Sequence, residues 1–231
     1  VEKLLKTVIA VMVVLIVPAG ASIVTYTDSI SGLFDQVADR NLVVSQFNSS
    51  LGTLNSVTIT VSTALQASLG VESTNPDSPA SGTKAFSVYT YFPSDPAEYT
   101  RASVNLSFDG SAVSTAGYMD AKKYTLLLTK YDGVTDYAGT SGAIAATFSA
   151  SDGNVLFYNS GLASFIGTGS LTFGLVSDAY TTLMTTGGNN STSMSTAGQA
   201  AVTVTYDYTV PEPATMLLLG LGSLILIRRK K

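Results

Sequence analysis

Two carboxylates flanking a glycosidic bond are enough to hydrolyse it without histidine, and this chain has few to offer. Between Ser22 and Thr209 the glutamates are Glu72 and Glu98 alone, and most aspartates stand beside Gly, Pro or Ser, where they form turns. Tyr131-Asp132-Gly133-Val134-Thr135-Asp136-Tyr137 brings two carboxylates around one loop, and oxygen ligands of that kind suit calcium. The repeated Asp-x-Asp spacing of a calcium loop is missing, so an Asp-Gly turn is expected instead. Cys and His are both absent, which excludes thiol nucleophiles, imidazole bases, disulfides and Cys/His zinc sites. The expectation is a protein that is not an enzyme, with no catalytic residue, cofactor or metal ligand.

Aromatic side chains offer a second chemistry, the stacking of sugar rings. The chain has 12 Tyr and no Trp, and Tyr89, Tyr91, Tyr206 and Tyr208 alternate along two apolar runs. Such tyrosines serve either as platforms on a carbohydrate-binding module or as core and sheet-face packing, and the alternation favours packing.

The elements that position these residues have a period of two. Val57, Ile59 and Val61 alternate with Thr58, Thr60 and Ser62, and Val104, Leu106 and Phe108 with Ser103, Asn105 and Ser107. Phe86-Val88, Leu171-Phe173-Leu175 and Val202-Val204-Tyr206-Tyr208 repeat the pattern, which predicts strands with one buried and one hydroxyl-bearing face. Turn signals separate the runs at Asn75-Pro76-Asp77, Pro93-Ser94-Asp95-Pro96, Asp109-Gly110, Asp132-Gly133, Asp152-Gly153 and Gly187-Gly188-Asn189-Asn190. About ten short strands in an all-β, antiparallel sandwich or jelly roll are expected. The stretch from Ile30 to Val44 reads as loop plus strand rather than helix, and Thr185 to Ala197 as an exposed loop.

Charged residues are 12% of the chain, while Ser and Thr number 58 of 231. The segment from Ser22 to Thr209 holds 6 basic and 14 acidic residues, a net charge of −8 that argues against a nucleic-acid partner.

Both ends carry targeting features. Lys3 and Lys6 precede an apolar run from Thr7 to Val17, followed by Pro18 and the small-x-small site Ala19-Gly20-Ala21. These are the three parts of a secretory signal peptide, residues 1–21, with cleavage between Ala21 and Ser22. As a helix the run reaches only about 17 Å, short of the roughly 30 Å of hydrocarbon a permanent anchor must cross. At the other end Pro211-Glu212-Pro213 precedes an uncharged apolar segment, 214–227, and then Arg228, Arg229, Lys230 and Lys231. A transmembrane helix over 214–227 with the basic cluster as its cytoplasmic stop leaves residues 22–209 outside the membrane.

The order of Pro-Glu-Pro, apolar segment and basic tail over 210–231 closely resembles the PEP-CTERM sorting signal of Gram-negative bacteria. That resemblance implies exosortase as the processing enzyme and an extracellular setting rich in exopolysaccharide and biofilm matrix. Pro211, Glu212 and Pro213 would then be a substrate segment. The middle of the chain is similar to the choice-of-anchor E family through Val44-Ser45-Gln46-Phe47-Asn48-Ser49-Ser50-Leu51-Gly52-Thr53-Leu54, Gly167-Thr168-Gly169 and Val204-Thr205-Tyr206. Together these readings describe an exported, non-catalytic surface or matrix protein, anchored first in the membrane, with exopolysaccharide as a further partner. A carbohydrate-binding module is the alternative, and an acid-catalysed glycan hydrolase stands behind it.

Overall fold

The structure, a computed structural model, describes residues 20–33, 40–76, 84–89, 91–92, 95–120, 123–180 and 184–211. These form strands β1 (Ala21–Leu33), β2 (Asn41–Ser45), β3 (Thr53–Ser73), β4 (Lys84–Tyr89), β5 (Tyr91–Phe92) and β6 (Asp95–Phe108). They continue with β7 (Ser111–Asp120), β8 (Lys123–Leu128), β9 (Gly142–Tyr158), β10 (Ser170–Tyr180), β11 (Met184–Thr186) and β12 (Asn190–Thr209). Every strand pair is antiparallel. One sheet runs β1-β12-β3-β9, a second β2-β10-β6-β5 with β7 also on β6, and a third β11-β4-β8.

The alternation seen in the sequence is what builds the core. Leu54, Val57, Ile59 and Val61 of β3 point inward beside Val202, Val204 and Tyr206 of β12. They meet Leu42 and Val44 of β2, Val104 and Leu106 of β6, and Leu171, Phe173 and Leu175 of β10, so the first two sheets close as a sandwich. Each such side chain taken from water contributes about 1.5 to 3 kcal/mol. A smaller core joins Leu69 and Val71 to Phe86, Val88 and Leu128 of the third sheet.

Several turns fall where expected. Asp109 and Gly110, both at positive φ (49° and 74°), close the β6–β7 hairpin as a two-residue turn. Several strands are longer than expected: β3 has 21 residues, β12 20 and β9 17. The Thr185–Ala197 loop is a correction, since residues 190–197 pair in register with 66–73 of β3. A ladder hydrogen-bonds backbones, and small polar side chains do not prevent it. Of the Ile30–Val44 stretch, 30–33 end β1 as strand and 41–44 belong to β2, so the strand part stands, while 34–39, where a loop would fall, lie outside the described residues.

Asp152-Gly153 is a second correction, for it lies within β9 rather than in a turn. The Asp152 carboxylate accepts hydrogen bonds from the Thr115 N–H (2.8 Å) and the Ser114 hydroxyl (3.1 Å), bridging β9 to β7. Those donors, the Thr115 N–H first, hold its pKa below the ordinary carboxylate value. A depressed folded-state pKa adds stability above the unfolded value near 3.9, which disappears as pH falls through the folded value. Asp152→Asn is therefore expected to lower the melting temperature at pH 7 and to narrow its gap to wild type below pH 4. An unchanged gap across that range in a thermal melt series would contradict the bridge.

Among the described residues no helix is long and apolar enough to cross a membrane. The signal helix expected before Ala21 and the transmembrane helix expected over 214–227 lie outside the described residues, so neither flanking helix is supported.

Candidate functional site

The two ends of the domain leave it side by side. In the β1–β12 register Ala21 faces Thr209 and Ser22 faces Tyr208, and the Val210 N–H donates to the Gly20 carbonyl at 3.3 Å. Asn55 fixes this end by donating to the Thr209 hydroxyl (2.9 Å) and to Asp207 (3.2 Å). Gly52, at φ +151°, lies against the Thr209 carbonyl where a Cβ would collide. Pro211 follows as an exposed residue with no N–H, so the ladder stops there. The structure thus brings Ala21, Ser22 and Pro211 to one edge. Ala19, Glu212, Pro213 and Arg228, Arg229, Lys230 and Lys231 lie outside the described residues.

The segments 44–54 and 167–169 also meet. Gln46 accepts from the Gly169 N–H (3.2 Å) and donates to the Ser164 carbonyl (2.9 Å), and a Cβ on Gly167 would strike its amide. Val44, Phe47 and Leu54 are buried, so this stretch owes its composition to the core.

Several of the described carboxylates have structural roles. Asp132 accepts from the Val134 N–H and Asp136 from the Ala138 N–H, both at 2.9 Å, so the Asp132–Asp136 loop is built of turns. Among the described residues no three Asp or Glu converge on a metal position. Glu72, fully buried, accepts from the Tyr137 N–H at 2.8 Å and holds that loop, with Tyr137 at φ 58°. Sequence reasoning weighed Glu72 only as a catalytic acid, because the loop that covers it lies 65 residues away. The Glu98 side chain lies outside the described residues.

Of the alternating tyrosines, Tyr206 and Tyr208 are core, and the side chains of Tyr89 and Tyr91 lie outside the described residues. Tyr206 is fully buried between Phe47 and Tyr26, and its hydroxyl donates to the Ser45 carbonyl at 2.9 Å. Burial, and then Tyr26, push its pKa up to about 12. Tyr208 packs on Phe47 with ring centres 5.1 Å apart. Neither is a sugar platform.

The outward face of the β1-β12-β3-β9 sheet is different in kind. The register aligns Thr25, Thr205, Thr58 and Phe157 in one row and Thr27, Thr203, Thr60 and Val155 in the next. The Thr25 and Thr205 hydroxyls lie 3.2 Å apart and those of Thr27 and Thr203 3.1 Å, so neighbouring strands share hydroxyl hydrogen bonds. Two rows further on, small residues align and the face sinks into an open trough of about 480 Å³, bounded by Gln66 and Gln199.

A sandwich whose last strand runs straight into an exposed proline is an arrangement suited to presenting a C-terminal signal. Residues 209–231 match the PEP-CTERM protein-sorting motif, so the chain carries that signal and is sorted after export, with exosortase as its processing partner. No curated protein matches the chain. Among solved structures it is similar to that of the infectious bursal disease virus Gx strain, with 13% identity and a TM-score of 0.22 over 84% of this chain and 37% of that one. It is similar also to the CBM36-1 domain of a multidomain xylanase from the hindgut metagenome of Trinervitermes trinervoides (12% identity, TM-score 0.19, 80% of this chain and 96% of that one). A third is the 60-mer BFDV capsid protein (9%, 0.19, 84% and 97%). The chain spans little more than a third of the length of the first of these. Likenesses at this level carry no argument about function.

Proposed function

We propose that this chain is a non-catalytic protein of the cell surface or extracellular matrix, held first as a membrane-anchored precursor, released by exosortase and working alongside exopolysaccharide. One observation supports the reading above the others: the sorting motif begins where β12 ends, with Pro211 exposed beside the N-terminal exit. The structural roles of Glu72, Asp132, Asp136 and Asp152 favour a scaffold over a catalyst. The test is to follow the chain by immunoblot in membrane and medium fractions of hosts with and without exosortase. A shorter, released form that depends on the enzyme is the expected result, and identical patterns in both hosts would refute it.

Export also calls for a signal at the other end. Ala19 and Ala21 provide the small side chains a signal peptidase accepts after the helix-ending Pro18, so the mature protein is expected to begin at Ser22. N-terminal sequencing of the exported protein checks this, and a mature chain retaining Lys3 and Lys6 would contradict it.

A further inference from the structure

We infer that the trough across the outward face of the β1-β12-β3-β9 sheet is a binding site for a neutral glycan chain. Its origin is a register of small residues. Ser31, Gln199, Ala64 and Ser151 form one cross-strand row, and Leu33, Ala197, Gln66 and Ser149 the next. The row between them, Gly32, Gly198, Leu65 and Ala150, faces the other side of the sheet and offers backbone alone here, so with only Ser and Ala at Ser31, Ala64, Ala197, Ser149 and Ser151 the floor lies low beside the two glutamines. The trough crosses all four strands, about 14 Å at roughly 4.8 Å per strand spacing, and stays open along its length. Its volume of about 480 Å³ falls within the roughly 300 to 1,000 Å³ usual for small-ligand sites.

The lining decides the class of ligand. Gln66 and Gln199 each present an amide carbonyl and an NH2 group, and Ser31, Ser149 and Ser151 present hydroxyls, so donors and acceptors are interleaved. Among the described residues neither glutamine spends its side chain on a hydrogen bond within the protein. No lining residue is charged, and the segment from Ser22 to Thr209 has a net charge of −8. An anionic polymer is repelled and a cation finds no carboxylate in the trough, whereas an uncharged polyol matches it group for group. Along β9 the same face continues to Val155 and Phe157, 60% and 62% exposed, which give the apolar faces of sugar rings a place to rest. An open trough without an enclosed aromatic implies weak, millimolar-range binding to each short oligosaccharide, strengthened where many copies meet one polymer.

This inference does not depend on how the chain is exported or processed, so it is measured without either step. Purified full-length chain in a detergent without a sugar headgroup is titrated calorimetrically with hexasaccharides of cellulose, xylan, mannan and galactan, and with an oligogalacturonate as the acidic control. At least one neutral hexasaccharide binds wild type, and the acidic oligomer does not. Ala64→Trp, which fills the trough from its floor, and the double variant Gln66→Ala, Gln199→Ala each weaken that binding about tenfold or more, as loss of one to two hydrogen bonds implies. Circular dichroism checks that both variants remain folded. Should Ala64→Trp unfold the chain, the glutamine pair alone decides. No binding of any neutral hexasaccharide, unaltered binding by the folded variants, or preference for the acidic oligomer would overturn the assignment. None of these outcomes bears on the exosortase reading.

Discussion

Glu212→Ala is expected to leave the chain at precursor length in the membrane fraction of an exosortase-bearing host, where wild type is expected to be shortened and released. Thr209 is the last residue paired in the sheet, and the apolar segment starts at 214, so four residues separate the folded domain from the bilayer. Fully extended, they reach about 13 to 14 Å. An enzyme working there has no slack chain to pull on and must grip the segment as it lies. Pro211 and Pro213 favour extended backbone on both sides of the one charge in that gap, so Glu212 is the distinctive handle. Replacing both prolines has the same outcome for a conformational reason. Neutralising Arg228, Arg229, Lys230 and Lys231 acts differently, because moving a basic residue into hydrocarbon costs about 2.5 to 3.5 kcal/mol, and without that barrier some precursor slips through uncut. Mobility and fractionation on an immunoblot distinguish the three cases. Wild-type processing of the Glu212→Ala chain would leave a plain anchor.

The largest loss of stability is expected from Phe47→Ala. Phe47 is fully buried, with its ring centre 5.7 Å from that of Tyr206 and 5.1 Å from that of Tyr208. Its N–H donates to the Phe165 carbonyl at 2.8 Å and its carbonyl accepts from Gly167 at 3.0 Å, so the neighbours cannot easily collapse into the space left behind. Truncation of a buried Phe costs about 3 to 5 kcal/mol. Domains have about 5 to 15 kcal/mol in all, so the variant unfolds at far lower urea than wild type, whereas Phe47→Leu loses much less. Coincident urea midpoints for Phe47→Ala and wild type would mean that the Phe47–Tyr206–Tyr208 cluster does not hold the sandwich together.

What could be read from residue order was whatever is local. Val57-Thr58-Ile59-Thr60-Val61 announces a half-buried strand because alternation is a property of neighbours, and Asp109-Gly110 announces a turn because both residues tolerate positive φ. The same reasoning failed where a partner from far away decides. Asp152-Gly153 looks like a turn until Thr115 supplies its N–H, and Thr185 to Ala197 looks like a loop until β3 supplies a ladder for 190–197. Glu72 looks like a candidate acid until the loop at Tyr137 closes over it. The sorting motif was legible in full, since its recognition depends on order along the chain. The trough was not, because it exists only when small residues of four strands fall into register.

The pairing of β1 with β12 sets the order of events during export. Thr25 and Thr205, hydrogen-bonded through their hydroxyls, are 180 residues apart, and among the described residues β12 is the sheet neighbour of β1. A chain threaded through the membrane from its N-terminus delivers β1 first and β12 last. The first strand therefore waits, unpaired, on the far side throughout translocation, and contacts of such long sequence separation are slow to form in any case. While it waits, the Ala21–Ser22 bond is free of the rung that later joins Ala21 to Thr209. The sandwich closes only when the residues just before the sorting motif have emerged, so completion of the fold and arrival of the anchor at the bilayer coincide.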